Sequence, residues 1–148
     1  MIEINNLTTV SVDKNLVKKV SEGILKEEKI KKEFNLSIAL VGSEVIKKLN
    51  KKYRGKNRIT DVLSFPELKT GTTEERIFKK DKNLGEIVIC LGRVKKNAQK
   101  YNSNFKTEFI QVLIHGILHL LRYDHEESKK EAEKMEEKQK FYLSKFVK

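Results

Sequence analysis

Apolar positions along the chain change period several times, and each change predicts an element. Ile2 and Ile4 alternate with polar residues and predict a short strand running on toward Val10. Leu16, Val17, Val20, Ile24 and Leu25 then recur at helical spacing, which predicts a helix over 14–32. LSIALV at 36–41 reads as a strand. Ser43 stands where a helix N-cap belongs, ahead of a helix reaching Tyr53 with Val45, Ile46 and Leu49 inward. A strand over 62–65 is stopped by Pro66, the chain's one proline. Residues 67–83 are polar and charged and predict a loop, and GEIVIC at 85–90 is a β-branched strand. A basic helix over 93–101 and a largely apolar helix over 105–121 follow. The last helix, over 126–147, carries Ala132, Met135, Tyr142 and Phe146 along one side. About four strands and five helices in mixed order, with no repeat and no Pro/Gly-rich linker, predict one α+β domain over 1–148.

Composition narrows the setting. No apolar run approaches the roughly 18 residues of a membrane span, and MIEINNLTTV lacks the basic region and cleavage site of a secretory signal. A single cysteine, Cys90, precludes an internal disulfide and suits a reducing compartment. A soluble cytoplasmic protein without a membrane partner is expected. The net charge of +11 is local. Residues 47–58 hold seven Lys/Arg and 91–106 hold five, neither window has an acid, and the remaining 120 residues net −1. Two basic patches on a nearly neutral body point to a polyanion such as nucleic acid. The competing reading is two solvated helix faces on unrelated sides of the molecule.

All three histidines of the chain, His115, His119 and His125, fall within LIHGILHLLRYDHEE. The apolar helix over 105–121 has one narrow polar stripe, Glu108, Gln111, His115 and His119, with Arg122 beyond. At 100° per residue these positions share an arc of roughly 80°. A polar stripe on a buried helix needs partners, because an unpaired buried polar group costs about 1–3 kcal/mol. His115 and His119, four apart, leave the same face one turn apart, and His125 follows where the chain can fold back. The pattern fits three nitrogen ligands to one ion, and Zn2+ suits them best, with water as fourth ligand; another transition metal is compatible. Peptidases of the H-E-x-x-H type place a glutamate after the first histidine, where this chain has Gly116. That glycine points to close approach of another backbone or of substrate. Three neutral ligands leave the charge of the ion whole and favour an anionic substrate such as a phosphodiester.

HGILHLLRYDH resembles the H-G-x-L-H-L-x-G-Y-D-H signature of the YbeY family, bacterial metal-dependent endoribonucleases that mature ribosomal RNA. LNKKYRGKNRITDVLSFP at 49–66 and LGEIVICLGRVKKNA at 84–98 resemble two further blocks of that family, in the right order. The resemblance implies a zincin-like α+β fold with a central metal helix, and a metal site of His115, His119 and His125. It implies cleavage of single-stranded RNA, with roles at the small-subunit 16S rRNA 3′ end and in ribosome quality control. The ribosome or its small subunit is the implied partner. Arg54 matches the arginine of the family's Y-R motif, where a cation would hold the scissile phosphate; the alternative is a surface arginine in a basic loop.

The chain departs from the family at two of these positions. Arg122 stands where the family usually has glycine, and Glu86 replaces a commoner aspartate. Other positions carry two readings each: Asp124 as an orienting carboxylate or a turn residue, Asp61 and Ser64 as site residues or turn chemistry. Cys90 reads as core, while Tyr53, Tyr101 and Phe105 are candidates for stacking on bases, Phe105 equally for packing. Two rivals to the endoribonuclease remain: a non-catalytic ribosome-assembly factor with a structural metal, and a metal-dependent hydrolase of another substrate.

Overall fold

The computed structural model describes residues 1–30, 34–66, 83–121 and 129–147. Four strands, β1 (Ile2–Asn6), β2 (Asn35–Val41), β3 (Val62–Pro66) and β4 (Asn83–Cys90), form one mixed sheet in the order β1-β2-β4-β3. β1, β2 and β4 are parallel, and β3 closes one edge antiparallel to β4. Among the described residues, five helices surround it: α1 (Lys14–Glu27), α2 (Ser43–Arg54), α3 (Leu91–Lys100), α4 (Phe105–Leu120) and α5 (Lys129–Phe146). This is the α+β architecture expected from the pattern.

The side-chain alternation of the inner strands sorts the helices into layers. Leu36, Ile38 and Leu40 of β2, with Ile87 and Ile89 of β4, join the larger apolar cluster with α1, α4 and α5. Ala39, Val41, Val88 and Cys90 point the other way and, with Leu63 of β3, pack on Ile46 of α2. Because both faces of β2 and β4 are covered, those strands read as unbroken apolar runs. Helix α4 lies against the sheet and touches α1, α3 and α5, which is why apolar residues occupy most of its circumference. Each fully buried Leu or Ile there contributes about 1.5–3 kcal/mol relative to exposure.

Several boundaries differ from the pattern for local reasons. α1 stops at Glu27, not at 32, because Lys29 takes a left-handed conformation (φ 61) and Ile30 N–H donates back to the Leu25 carbonyl. A lysine in a position glycine usually holds gives no sequence signal. β1 ends at Asn6 and does not reach Val10. Gly42, not Ser43, is the N-cap of α2; Ser43 is its first helical residue and its hydroxyl lies 3.8 Å from Cys90 Sγ. α2 turns Ile46 and Leu49 inward as expected, but buried Asn50 takes the place expected of Val45, which is 46% exposed. β4 begins at Asn83, with Leu84 as an extra residue in the β2 register and Gly85 at φ 135 beside it. α3 starts at Leu91 with no loop after β4.

Asn104 caps α4, its side chain accepting from Thr107 N–H at 2.8 Å. Phe105 packs at the helix entry, stacked on Phe109 with ring centroids 5.8 Å apart. Of the expected loop over 67–83, residues 67–82 lie outside the described residues and Asn83 belongs to β4; the start of the last helix at 126–128 also lies outside them. Among the described residues no helix is long and apolar enough to cross a membrane.

Candidate metal centre

Helix α4 delivers the histidines. Its apolar sides are fixed by the sheet and three helices, so the stripe bearing His115 and His119 cannot rotate inward. Both side chains are half-buried, and their Nε2 atoms converge to 3.0 Å with ring centroids 4.5 Å apart. The separation is that of a hydrogen bond between the two rings, and it brings both Nε2 atoms together on one side of the helix. Neutral nitrogens so placed suit a borderline-soft divalent cation such as zinc. His125, the third expected ligand, lies outside the described residues, as do Arg122 and Asp124. Among the described residues no group of three or more His, Cys, Asp or Glu forms a cage.

Gly116 sits between the two histidines, and its role differs from the expectation. A Cβ there would stand 3.0 Å from Ile87 Cγ2 and 3.2 Å from Val62 Cγ2. The missing side chain therefore admits branched side chains of β4 and β3, rather than a backbone or substrate. The close approach is locked by Ser64, whose hydroxyl donates to the Gly116 carbonyl at 3.0 Å. Ser64 is thus a tie between the edge strand and the histidine helix.

The remaining stripe residues divide. Gln111 is exposed. Glu108, two turns before His115, is 8% exposed, and its carboxyl makes no hydrogen bond or ion pair among the described residues. Burial, and secondarily the charge of Asp61, raises its carboxyl above the ordinary value. The Asp61 carbonyl accepts from Cys90 N–H at 2.8 Å, joining the start of β3 to β4. Cys90 is fully buried core.

Arg54 is the last residue of α2, exposed, and its guanidinium makes no hydrogen bond or ion pair among the described residues. α2 packs on the sheet face opposite α4, so the fold does not stack Arg54 on the histidine helix. Gly55, at φ 68, ends the helix behind it. The next turn is fixed by Asn50, a residue the apolar pattern overlooked. Asn50 is buried and its amide donates to the Arg58 carbonyl at 3.0 Å. Its signal in the sequence was an asparagine one turn after the inward Ile46. The two basic windows fall on α2 and α3, which touch one another, so they are neighbours. Tyr53 (58% exposed, edge-on to Phe65) and Tyr101 (63% exposed) stand at the ends of those helices.

A second residue that the pattern overlooked comes from α5. The Gln139 side-chain amide meets Nδ1 of His115, on the ring edge away from the Nε2 pair. Gln139 was legible as the one polar residue in the apolar series Met135, Gln139, Tyr142.

The YbeY profile, described as Endoribonuclease YbeY, matches residues 3–147. A Thermotoga neapolitana protein described as Endoribonuclease YbeY is 41% identical over 133 residues, covering 88% of this chain and 80% of its own length. The protein of the same description from Petrotoga mobilis is 36% identical over 145 residues, covering 98% and 94%. The solution structure of TM1509 from Thermotoga maritima superposes with a TM-score of 0.65 at 35% identity, covering 99% of this chain and 89% of that one. A profile match over nearly the full length, and relatives 36–41% identical over most of the chain, place this chain in the YbeY endoribonuclease family.

Proposed function

We propose that this protein is a zinc-dependent endoribonuclease that cuts single-stranded RNA during rRNA maturation in the cytoplasm. Its place of action, on this reading, is the small-subunit 16S rRNA 3′ end and ribosome quality control. The observation that carries the reading is the convergence of His115 and His119 Nε2 to 3.0 Å on the central helix of a YbeY chain. His115, His119 and His125 would hold one zinc ion, leaving a position for water. When bound, zinc would polarise a phosphoryl oxygen and supply a nucleophile near neutral pH. The chain's own residues do the rest. Apolar walls of α4 exclude water from one side of the histidines, and Ser64 and Gly116 hold them against β3. The basic windows on α2 and α3 draw in the phosphate backbone. Arg54 would neutralise charge on the scissile phosphate, its exposed guanidinium being able to fork onto two oxygens.

The test uses labelled single-stranded RNA with zinc-reconstituted protein, metal-free protein and a His119→Ala variant purified identically. The expected result is cleavage that requires both the metal and His119, and a loss of about 100-fold in rate for Arg54→Ala with zinc binding intact. Equal RNA decay in all samples from a protein that binds zinc tightly would overturn the enzyme reading in favour of an assembly factor.

A further inference from the structure

We propose that Gln139 is a positioning residue: its side-chain carbonyl accepts from His115 Nδ1–H, fixing the tautomer whose Nε2 lone pair faces the ion. This deepens the metal reading above and rests on it.

The geometry starts with how firmly Gln139 is held. Met135 and Tyr142 of α5 are buried in the larger apolar cluster. Glu28, at the end of α1, accepts from Lys138 Nζ at 2.9 Å and from the Tyr142 hydroxyl at 2.8 Å through one carboxylate oxygen. Residues before and after Gln139 are therefore clamped to the body of the protein. The Gln139 amide is carried to His115 Nδ1 with its backbone already fixed.

An imidazole has two nitrogens, and in its neutral form one donates and the other accepts. The amide nitrogen of Gln139 faces Nδ1. That contact requires a lone pair on Nδ1 and a proton on Nε2, which then donates across the 3.0 Å gap to His119 Nε2. A half-turn of the amide about its last torsion presents the carbonyl instead. Nδ1 then carries the proton and Nε2 the lone pair, with the imidazole's proton count unchanged. Only this second arrangement leaves His115 Nε2 able to ligate. The two faces of one glutamine thus match the two tautomers of one histidine, and the carbonyl face belongs to the ion-holding state. A carboxylate at 139 can present only acceptors, so Gln139→Glu would favour ligation, and Gln139→Leu would favour neither tautomer.

The experiment measures zinc affinity by competition with a chromophoric chelator, and His115 side-chain nitrogens by 1H–15N correlation in protein labelled at its three histidines. Thermal unfolding of the metal-free variants serves as the folding control. Gln139→Leu is expected to weaken zinc binding by about 10–100-fold. Gln139→Glu is expected to restore it to within a few-fold of the original protein and to protonate His115 at Nδ1. Equal affinity for Gln139→Leu and the original protein would overturn the proposal, as would a Gln139→Glu variant as weak as Gln139→Leu. Should the original protein and His119→Ala bind zinc equally poorly, the metal reading fails instead. The nitrogen shifts of metal-free protein then decide for Gln139: a His115 proton held at Nδ1 in Gln139→Glu but not in Gln139→Leu supports its control of the tautomer, and the same tautomer in all three proteins overturns it.

Discussion

At the scale of single residues, the helix interior tolerates no change where strand and helix touch. Gly116 has Ile87 and Val62 methyl groups at contact distance, so a branched side chain must push α4 off the sheet. Gly116→Val should lose about 2–3 kcal/mol in urea unfolding, with weakened zinc binding, since the shift also disturbs the Ser64 tie. Stability at the original level would mean the helix can move freely there. Glu108 gives a pH signature. Its folded-state carboxyl lies above the ordinary value, first through burial and then through Asp61. Below about pH 3 the group is protonated in folded and unfolded chains alike. As pH rises the unfolded chain ionises first, so stability falls from there through the raised folded value and then levels off. Glu108→Gln should match the original protein at low pH and become progressively more stable than it toward neutrality. Parallel stability curves for the two proteins would refute this.

At the scale of elements, α5 owes its position to a polar clasp on α1. The Tyr142 hydroxyl and Lys138 share one oxygen of Glu28, whose side chain is 7% exposed. Lys145 and Glu27 pair more openly at 3.1 Å and contribute less. Tyr142→Phe keeps the ring in its place and removes one hydrogen bond to a charged acceptor, so it should cost about 1.5–3 kcal/mol. Chemical denaturation measures this, and a cost near zero would show that the clasp does not hold the helix. The elements also show where the sequence stopped being legible. Strands β2 and β4 and helix α4 stood out because apolar burial imposes its period directly on the residues. The end of α1 did not, because a left-handed lysine and a returning Ile30 N–H terminate it against a charged run that reads as helix. One position on the inward face of α2 departs from the pattern for a related reason: Ile46 and Leu49 pack inward, but buried Asn50 is polar and exposed Val45 is apolar.

At the scale of the whole molecule, the local charge becomes a surface only through topology. β2 and β4 are adjacent parallel strands, each followed at once by a helix, which brings α2 and α3 together. The two basic windows, separated by 32 residues in sequence, are thereby neighbours. RNA affinity should therefore fall steeply with salt. In a His119→Ala background that does not cleave, changing Lys51, Lys52 and Lys56 to Gln should flatten the log–log salt slope by about 0.7 for each phosphate no longer neutralised. An unchanged slope would place the RNA elsewhere.

The sequence by itself determined the α+β class, the central apolar helix with its histidine stripe, and the clustering of charge. Each of these is periodic or local, and hydrophobic burial and helical geometry write them directly into the order of residues. Tertiary structure alone decided that Gly116 receives Ile87 and Val62, that Ser64 ties β3 to α4, and that Gln139 meets His115. Those contacts join positions 24 or more apart in sequence. No periodicity within one element can specify them, because they arise from how separate elements pack, and packing depends on the shapes of both partners at once.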